Sequence, residues 1–252
     1  MGTVLFQNVC KTFPGVRTVR ALDDVSLSIG EGDFVALLGP SGCGKSTLLN
    51  LLAGFDRLSA GNLLFDGRPV TRPGPDRGVV FQEAALFPWL DVWNNVIFGP
   101  KVQGISRDVY EPRARELIRL VGLESFAEAL PVQLSGGMRQ RVGIARVLAM
   151  SPRALLMDEP FGALDAQTRL SMQQLLLDVW ETLGTTVLFV THDIDEAILL
   201  SDRVCVMSAR PGRIVRTIEI TLPRPRSIAS LTSPAFIAHK ADILAEMNVM
   251  HH

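Results

Sequence analysis

Apolar residues change their spacing along this chain, and the changes mark out its elements. Val25, Leu27 and Ile29 alternate with Ser26 and Ser28, the period of two of a half-buried strand. Residues 4–9 and 25–29 therefore read as short strands. Phe34-Val35-Ala36-Leu37-Leu38 is continuously apolar, as a strand buried on both faces is. A glycine-rich loop and a helical run from about Lys45 to Ala53 follow, and residues 62–81 read as further strand and turn.

From about Glu83 to Gln133 the strand signals fade. Ala114, Leu117, Ile118 and Val121 fall at i, i+3, i+4 and i+7, one face of a helix, with Gly122 as its stop. Pro112 is expected near the start of that helix, because deeper inside it would remove a hydrogen bond and clash. Strand and helix then alternate. Ala154–Met157 reads as a buried strand, and Met172, Leu175, Leu176, Val179, Trp180 and Leu183 as one helix face ended by Gly184. Thr186–Val190 is a strand, Asp193–Leu200 a helix and Arg203–Met207 a strand. Such alternation predicts a parallel sheet flanked by helices. Pro211-Gly212 marks a turn between two final strands. The proline-rich, basic stretch from about Pro223 is expected to lie outside the core. The predicted divisions are 1–82, 83–150 (a helical subdomain), 151–222 and a tail, 223–252. No role is assigned to His251 or His252.

Composition narrows the class. The chain has 252 residues, 47% hydrophobic and 20% charged, so a large core can form and global disorder is excluded. A net charge of -1 gives no footprint for nucleic acid. Cys10, Cys43 and Cys205 are too few and too scattered for a disulfide framework or a zinc site, which fits a reducing cytosol. No run approaches the ~18 apolar residues of a membrane span, and the start MGTVLFQNVCKTF lacks the charged and apolar regions of a secretory signal.

Gly39-Pro40-Ser41-Gly42-Cys43-Gly44-Lys45-Ser46, followed by Thr47, matches G-x-x-x-x-G-K-[ST] after a buried strand and at a helix start. Its amides and the helix N-terminus can cradle phosphates. Lys45 can reach the β- and γ-phosphates, and the Ser46 hydroxyl can ligate Mg²⁺. Cys43 reads as a small filler, or else as a thiol activated by the helix N-terminus. A second helix opens at Leu134-Ser135-Gly136-Gly137-Met138. Ser135 is a good N-cap and the two glycines leave the amides uncovered, a second anion site in a chain that already has one. Both can serve one triphosphate only if brought together, which implicates a partner chain.

With these two motifs the chain resembles the ATP-binding-cassette (ABC) ATPases, from about residue 4 to 220. The resemblance implies an α/β P-loop fold: a mixed sheet, an N-terminal antiparallel β-subdomain and an inserted helical subdomain. It implies a head-to-tail homodimer with two ATP molecules between phosphate loop and signature helix of opposite chains. LSGGM departs from the commonest signature by Met138 in place of Gln. Ala154–Pro160 resembles the Walker B strand, with Asp158 as a Mg²⁺ ligand and Glu159 orienting and deprotonating the attacking water. Gln82 matches the Q-loop, meeting Mg²⁺ or the water, and His192 the switch histidine at the γ-phosphate. Asp165 matches the D-loop, and is locally an N-cap. Phe13 matches the aromatic that stacks on adenine, the alternative being a core aromatic.

Leu86–Trp93 is unusually aromatic and reads as a groove for a membrane permease or as local packing. The resemblance to the bacterial nitrate, sulfonate and taurine importers rests on FPWLDVWNNV, LSGGMRQR, Ser208–Ile214 and Leu222–Arg226. It implies integral membrane permease partners, indirectly a substrate-binding protein, no nucleic acid, and a peripheral place on the cytoplasmic face of the inner membrane. The alternatives are a non-transport ABC ATPase, disfavoured because residues 47–134 hold no heptads or paired cysteines, and a dead scaffold, disfavoured by Lys45, Glu159 and His192.

Overall fold

The structure is a computed structural model describing residues 2–249; His251 and His252 lie outside them. Two sheets form the frame. Strands β1 (Val4–Phe13), β2 (Val19–Ile29), β4 (Ala60–Phe65) and β5 (Arg68–Pro69) make an antiparallel sheet in the order β2-β1-β4-β5. Strands β3 (Phe34–Leu38), β6 (Arg77–Val80), β7 (Ala154–Asp158), β8 (Thr186–Thr191), β9 (Arg203–Met207) and β10 (Ile214–Glu219) make a six-stranded sheet, β10-β9-β3-β8-β7-β6. All its pairs are parallel except β10 with β9. β3, β7 and β8 sit at its centre and are almost wholly buried, which is why they read as unbroken apolar runs.

β1 and β2 are longer than their alternation shows. Register shifts after Phe6 and again around Lys11 break the period. Asn8 (φ 48) and Asp24 (φ 57) take left-handed backbone at the irregularity, a conformation these two residue types tolerate. Asn8 Nδ2 donates to Asp24 Oδ1 across it at 2.8 Å.

The sheet faces divide the core. One packs on α1 (Lys45–Ala53) and the antiparallel sheet, through Leu48, Leu49, Leu52, Val35 and Leu37. The other packs on the remaining helices: α2 (Val92–Val102), α3 (Arg107–Leu120), α4 (Gly136–Leu148), α5 (Ala166–Leu183), α6 (Ile194–Leu200) and α7 (Pro234–Val249).

Two expectations are corrected here. Pro112 lies inside α3, well past the Ser106 cap. The cost is small because Pro112 and Asp108, whose carbonyl loses its helical partner, both face solvent; the unmatched oxygen meets water. The stretch after Pro223 is no appendage. Phe236 and Ile243 on α7 are fully buried in the main core, and Lys240 Nζ bonds Asp195 on α6 at 2.8 Å. Arg224 pairs with Asp202 at 2.7 Å and stacks over Trp180 at 4.0 Å. Arg226 is buried, and its guanidinium donates to the carbonyls of Ile198, Leu199, Ser201, Ile220 and Leu222. A basic tail is solvated only when its charges have no better partner, and here the carbonyl end of α6 provides one.

Candidate nucleotide site

The loop between β3 and α1 is shaped by glycine. Gly44 stands at φ 108, closed to ordinary side chains, and a Cβ there would come within 2.7 Å of Leu22. The chain can therefore wrap tightly enough to point successive amides at one spot. Lys45 is buried, with its ammonium donating to Gly39 O at 2.8 Å and Pro40 O at 3.1 Å. A full positive charge is thus pinned at the loop's centre. Cys43 beside it is buried, and burial pushes its thiol pKa up. That outweighs the lowering effect of the Lys45 charge and the neighbouring backbone amides.

Two carboxylates face this loop from the end of β7. Ser46 Oγ donates to Asp158 Oδ1 at 2.9 Å. Burial raises the Asp158 pKa despite that hydrogen bond, because desolvation disfavours the charged carboxylate. Glu159 takes the left-handed conformation (φ 45), with its N–H on Val190 O at 2.9 Å. The backbone kink turns its carboxylate out of the strand, where Oε2 lies 3.0 Å from His192 Nδ1. β7 and β8 are neighbours in register, Asp158 opposite Val190, which brings residues so distant in sequence together.

Ser41, Gly42, Gly44, Lys45, Ser46, Thr47 and Glu159 line one cavity together with Phe13, Val19, Ala21 and Arg210. The Phe13 ring is partly exposed and carries Lys11 Nζ at 4.5 Å from its centroid. It is not a core aromatic; its open face belongs to the cavity.

The other sequence-predicted residues lie elsewhere. Gln82 leans on the turn after Glu159, where a Cβ on Gly162 would meet its amide at 3.2 Å. It lines a neighbouring cleft with Gly136, Arg139, Ala163 and Leu164 rather than the cavity that holds Lys45. Ser135 caps α4, accepting from Met138 N at 3.3 Å. Gly137 lets α4 touch α5, since a Cβ there would come within 2.5 Å of the Thr168 methyl. Met138 packs against the main core, which accounts for an apolar residue at that position. Asp165 caps α5 through Thr168 N at 3.0 Å, and the bonds from Thr168 hold its carboxyl below the usual range. Ser135, Gly136, Gly137 and Asp165 are outside the cavity that holds Lys45.

Sequence spacing missed several polar partners of this site. Glu196 on α6 is buried, accepting from Thr191 Oγ1 at 2.7 Å and Gln173 Nε2 at 3.1 Å, with its pKa raised by burial. It ties the residue before His192 to the helix capped by Asp165. Gln140 Nε2 donates to Phe81 O at 3.0 Å, and Arg146 to the carbonyls of Ala84 and Ala85, so α4 grips the segment around Gln82. No local pattern announces these residues, because most of their partners are backbone or side-chain groups distant in sequence.

The family model described as ABC transporter matches residues 22–162. The chain belongs to the ABC transporter family. It is 53% identical over 236 residues to the taurine import ATP-binding protein TauB of Rhizobium johnstonii, covering 91% of this chain and 89% of that one. It is 56% identical over 216 residues to TauB of Burkholderia pseudomallei strain 1710b, covering 85% and 83%. Among solved structures, it is similar to a dimeric ATP-binding cassette in a post-hydrolysis state bound to ADP and Pi, at TM-score 0.75 and 36% identity, covering 87% of this chain and 100% of that one. It also resembles cbiO1 of Clostridium perfringens, part of the cbiONQ transporter complex, at TM-score 0.78 and 27% identity, covering 99% and 98%. As an ABC ATPase the chain binds and hydrolyses ATP. Among the described residues no helix is long and apolar enough to cross a membrane.

Proposed function

We propose that this ABC ATPase drives import of a small anion such as taurine, an alkanesulfonate or nitrate, as a head-to-tail pair of chains on the cytoplasmic face of the inner membrane. One observation carries the pairing. The phosphate cradle and the Ser135–Gly137 helix tip, both suited to anions, occupy separate surfaces of one chain, so a triphosphate gripped by both must lie between two chains. The taurine importers among the relatives support the choice of cargo.

In this reading Gly39–Thr47 hold the phosphates, Lys45 neutralises them and Phe13 stacks on the base. Ser46 and Asp158 offer hard oxygens 2.9 Å apart, the donor type Mg²⁺ takes alongside phosphate oxygens. Once bound, Mg²⁺ would neutralise charge on the β- and γ-phosphates. Gln82 reaches this centre by moving with residues 83–150. Glu159 takes a proton from the attacking water, with His192 holding its carboxylate. Trp89 and Phe98 are exposed beside Phe87, whose ring centroid lies 4.4 Å from that of Phe98. This aromatic face meets a membrane permease, which in turn meets a substrate-binding protein.

Mixed pairs test the arrangement. One chain carrying Lys45→Ala and the other Ser135→Arg should retain roughly half of the wild-type phosphate release, because one of the two interfacial sites then carries both lesions and the other none. Activity equal to each single-variant homodimer would refute the shared site. For the cargo, coexpression with the permease and binding protein should give ATP-dependent uptake of taurine, alkanesulfonates or nitrate; uptake of none of them would reject the anion assignment.

A further inference from the structure

Arg210 lines the phosphate cavity, yet it belongs to none of the motifs that built the site. It comes from the loop joining β9 to β10. That loop is clamped behind the phosphate loop: Gly212 N donates to Ala21 O at 2.8 Å, and Asp23 N donates to Gly212 O at 3.0 Å. A Cβ on Gly212 would lie 2.0 Å from Cys43 O, so only glycine allows this approach. Within the loop, Ser208 Oγ donates to Pro211 O and accepts from Arg213 N, both at 3.0 Å. The backbone carrying Arg210 is therefore held from both sides.

The partners of the guanidinium leave capacity to spare. Nε and Nη2 both donate to Gly42 O at 3.3 Å. A guanidinium has five N–H donors, so three remain. The neighbouring arginines differ: Arg20 and Arg213 both pair with Asp23. Among the described residues no carboxylate pairs with Arg210. The one acid lining the cavity, Glu159, is bonded to His192. Arg210 is thus an exposed cation with no carboxylate partner, resting on a carbonyl of the loop that receives phosphate, a group that guanidinium binds well.

We propose that Arg210 is a further nucleotide-binding residue, donating its free N–H groups to the phosphate chain of the nucleotide held by Gly39–Thr47. The proposal rests on the ATP site described above. A residue that merely shapes the loop through Gly42 O would behave differently, and three variants separate the roles. Arg210→Gln keeps an amide donor for Gly42 O but loses the charge, and Arg210→Lys keeps the charge. Lys45→Ala tests the site itself.

Calorimetric titration of the full chain with ATP in EDTA should give roughly tenfold weaker binding for Arg210→Gln, the size of one hydrogen bond between charged groups. Arg210→Lys should stay within about threefold of wild type, because charge is most of the interaction. In steady state the Arg210→Gln loss should appear in KM with kcat unchanged. Wild-type affinity in Arg210→Gln, equal losses in the Gln and Lys variants, or a fall in kcat alone would each overturn the proposal. Wild-type ATP affinity in Lys45→Ala would instead overturn the underlying site, whatever Arg210 does.

Discussion

Glu159→Gln should lower steady-state ATP turnover by on the order of 10²-fold or more, about 2.7 kcal/mol in the barrier, while leaving ATP binding intact. The substitution is close to isosteric. A glutamine can still meet His192 Nδ1, now 3.0 Å from Oε2, and the kinked backbone at φ 45 is unaffected by the change of head group. Only basicity and charge are removed. Lys45, Ser46 and Asp158 keep their positions, so nucleotide should still bind. With hydrolysis blocked, the pair of chains closed by ATP should persist. Phosphate release and gel filtration in the presence of ATP check the two halves. A variant that turns over at the wild-type rate removes Glu159 from the chemistry.

Arg226→Ala should cost about 3–5 kcal/mol of stability, because removing a buried cation leaves its partners unmatched. Five carbonyls, three near the end of α6 and two just after β10, converge on this guanidinium. Burial lowers its pKa to about 10, so it stays charged at neutral pH, and its donors remain fully committed there. A loss of that size in a chain this long should lower the melting temperature by roughly 10 °C. Arg226→Lys should recover part of it, since an ammonium brings three donors in place of five. An unchanged melting temperature in Arg226→Ala would show that these hydrogen bonds add nothing to stability.

How much could be read from the chain follows from where each residue finds its partner. The phosphate loop was legible because its partners are its own neighbours, and G-x-x-x-x-G-K-[ST] encodes them directly. The central strands were legible because burial on both faces leaves an unbroken apolar run. Alternation alone ends β1 at residue 9, because bulges interrupt the period beyond it. Sequence puts Pro112 too early in its helix, because the cost of an interior proline depends on solvent at the opposite carbonyl, which no sequence shows. The tail is illegible in the sequence for a related reason. Arg226, Glu196 and Gln140 look like surface residues by type, and only the fold brings to them the carbonyls and amides that make burial tolerable.

The grip of α4 on the Gln82 segment has a mechanical outcome. Gln140 and Arg146 sit on opposite halves of a helix of thirteen residues, about 20 Å long at the usual rise, and both are pinned to residues 81–85. A stiff rod fastened at two points cannot pivot independently of what it is fastened to. Force applied to the Ser135 tip must therefore displace the aromatic face that begins at Phe87, in the same stroke and with little slack.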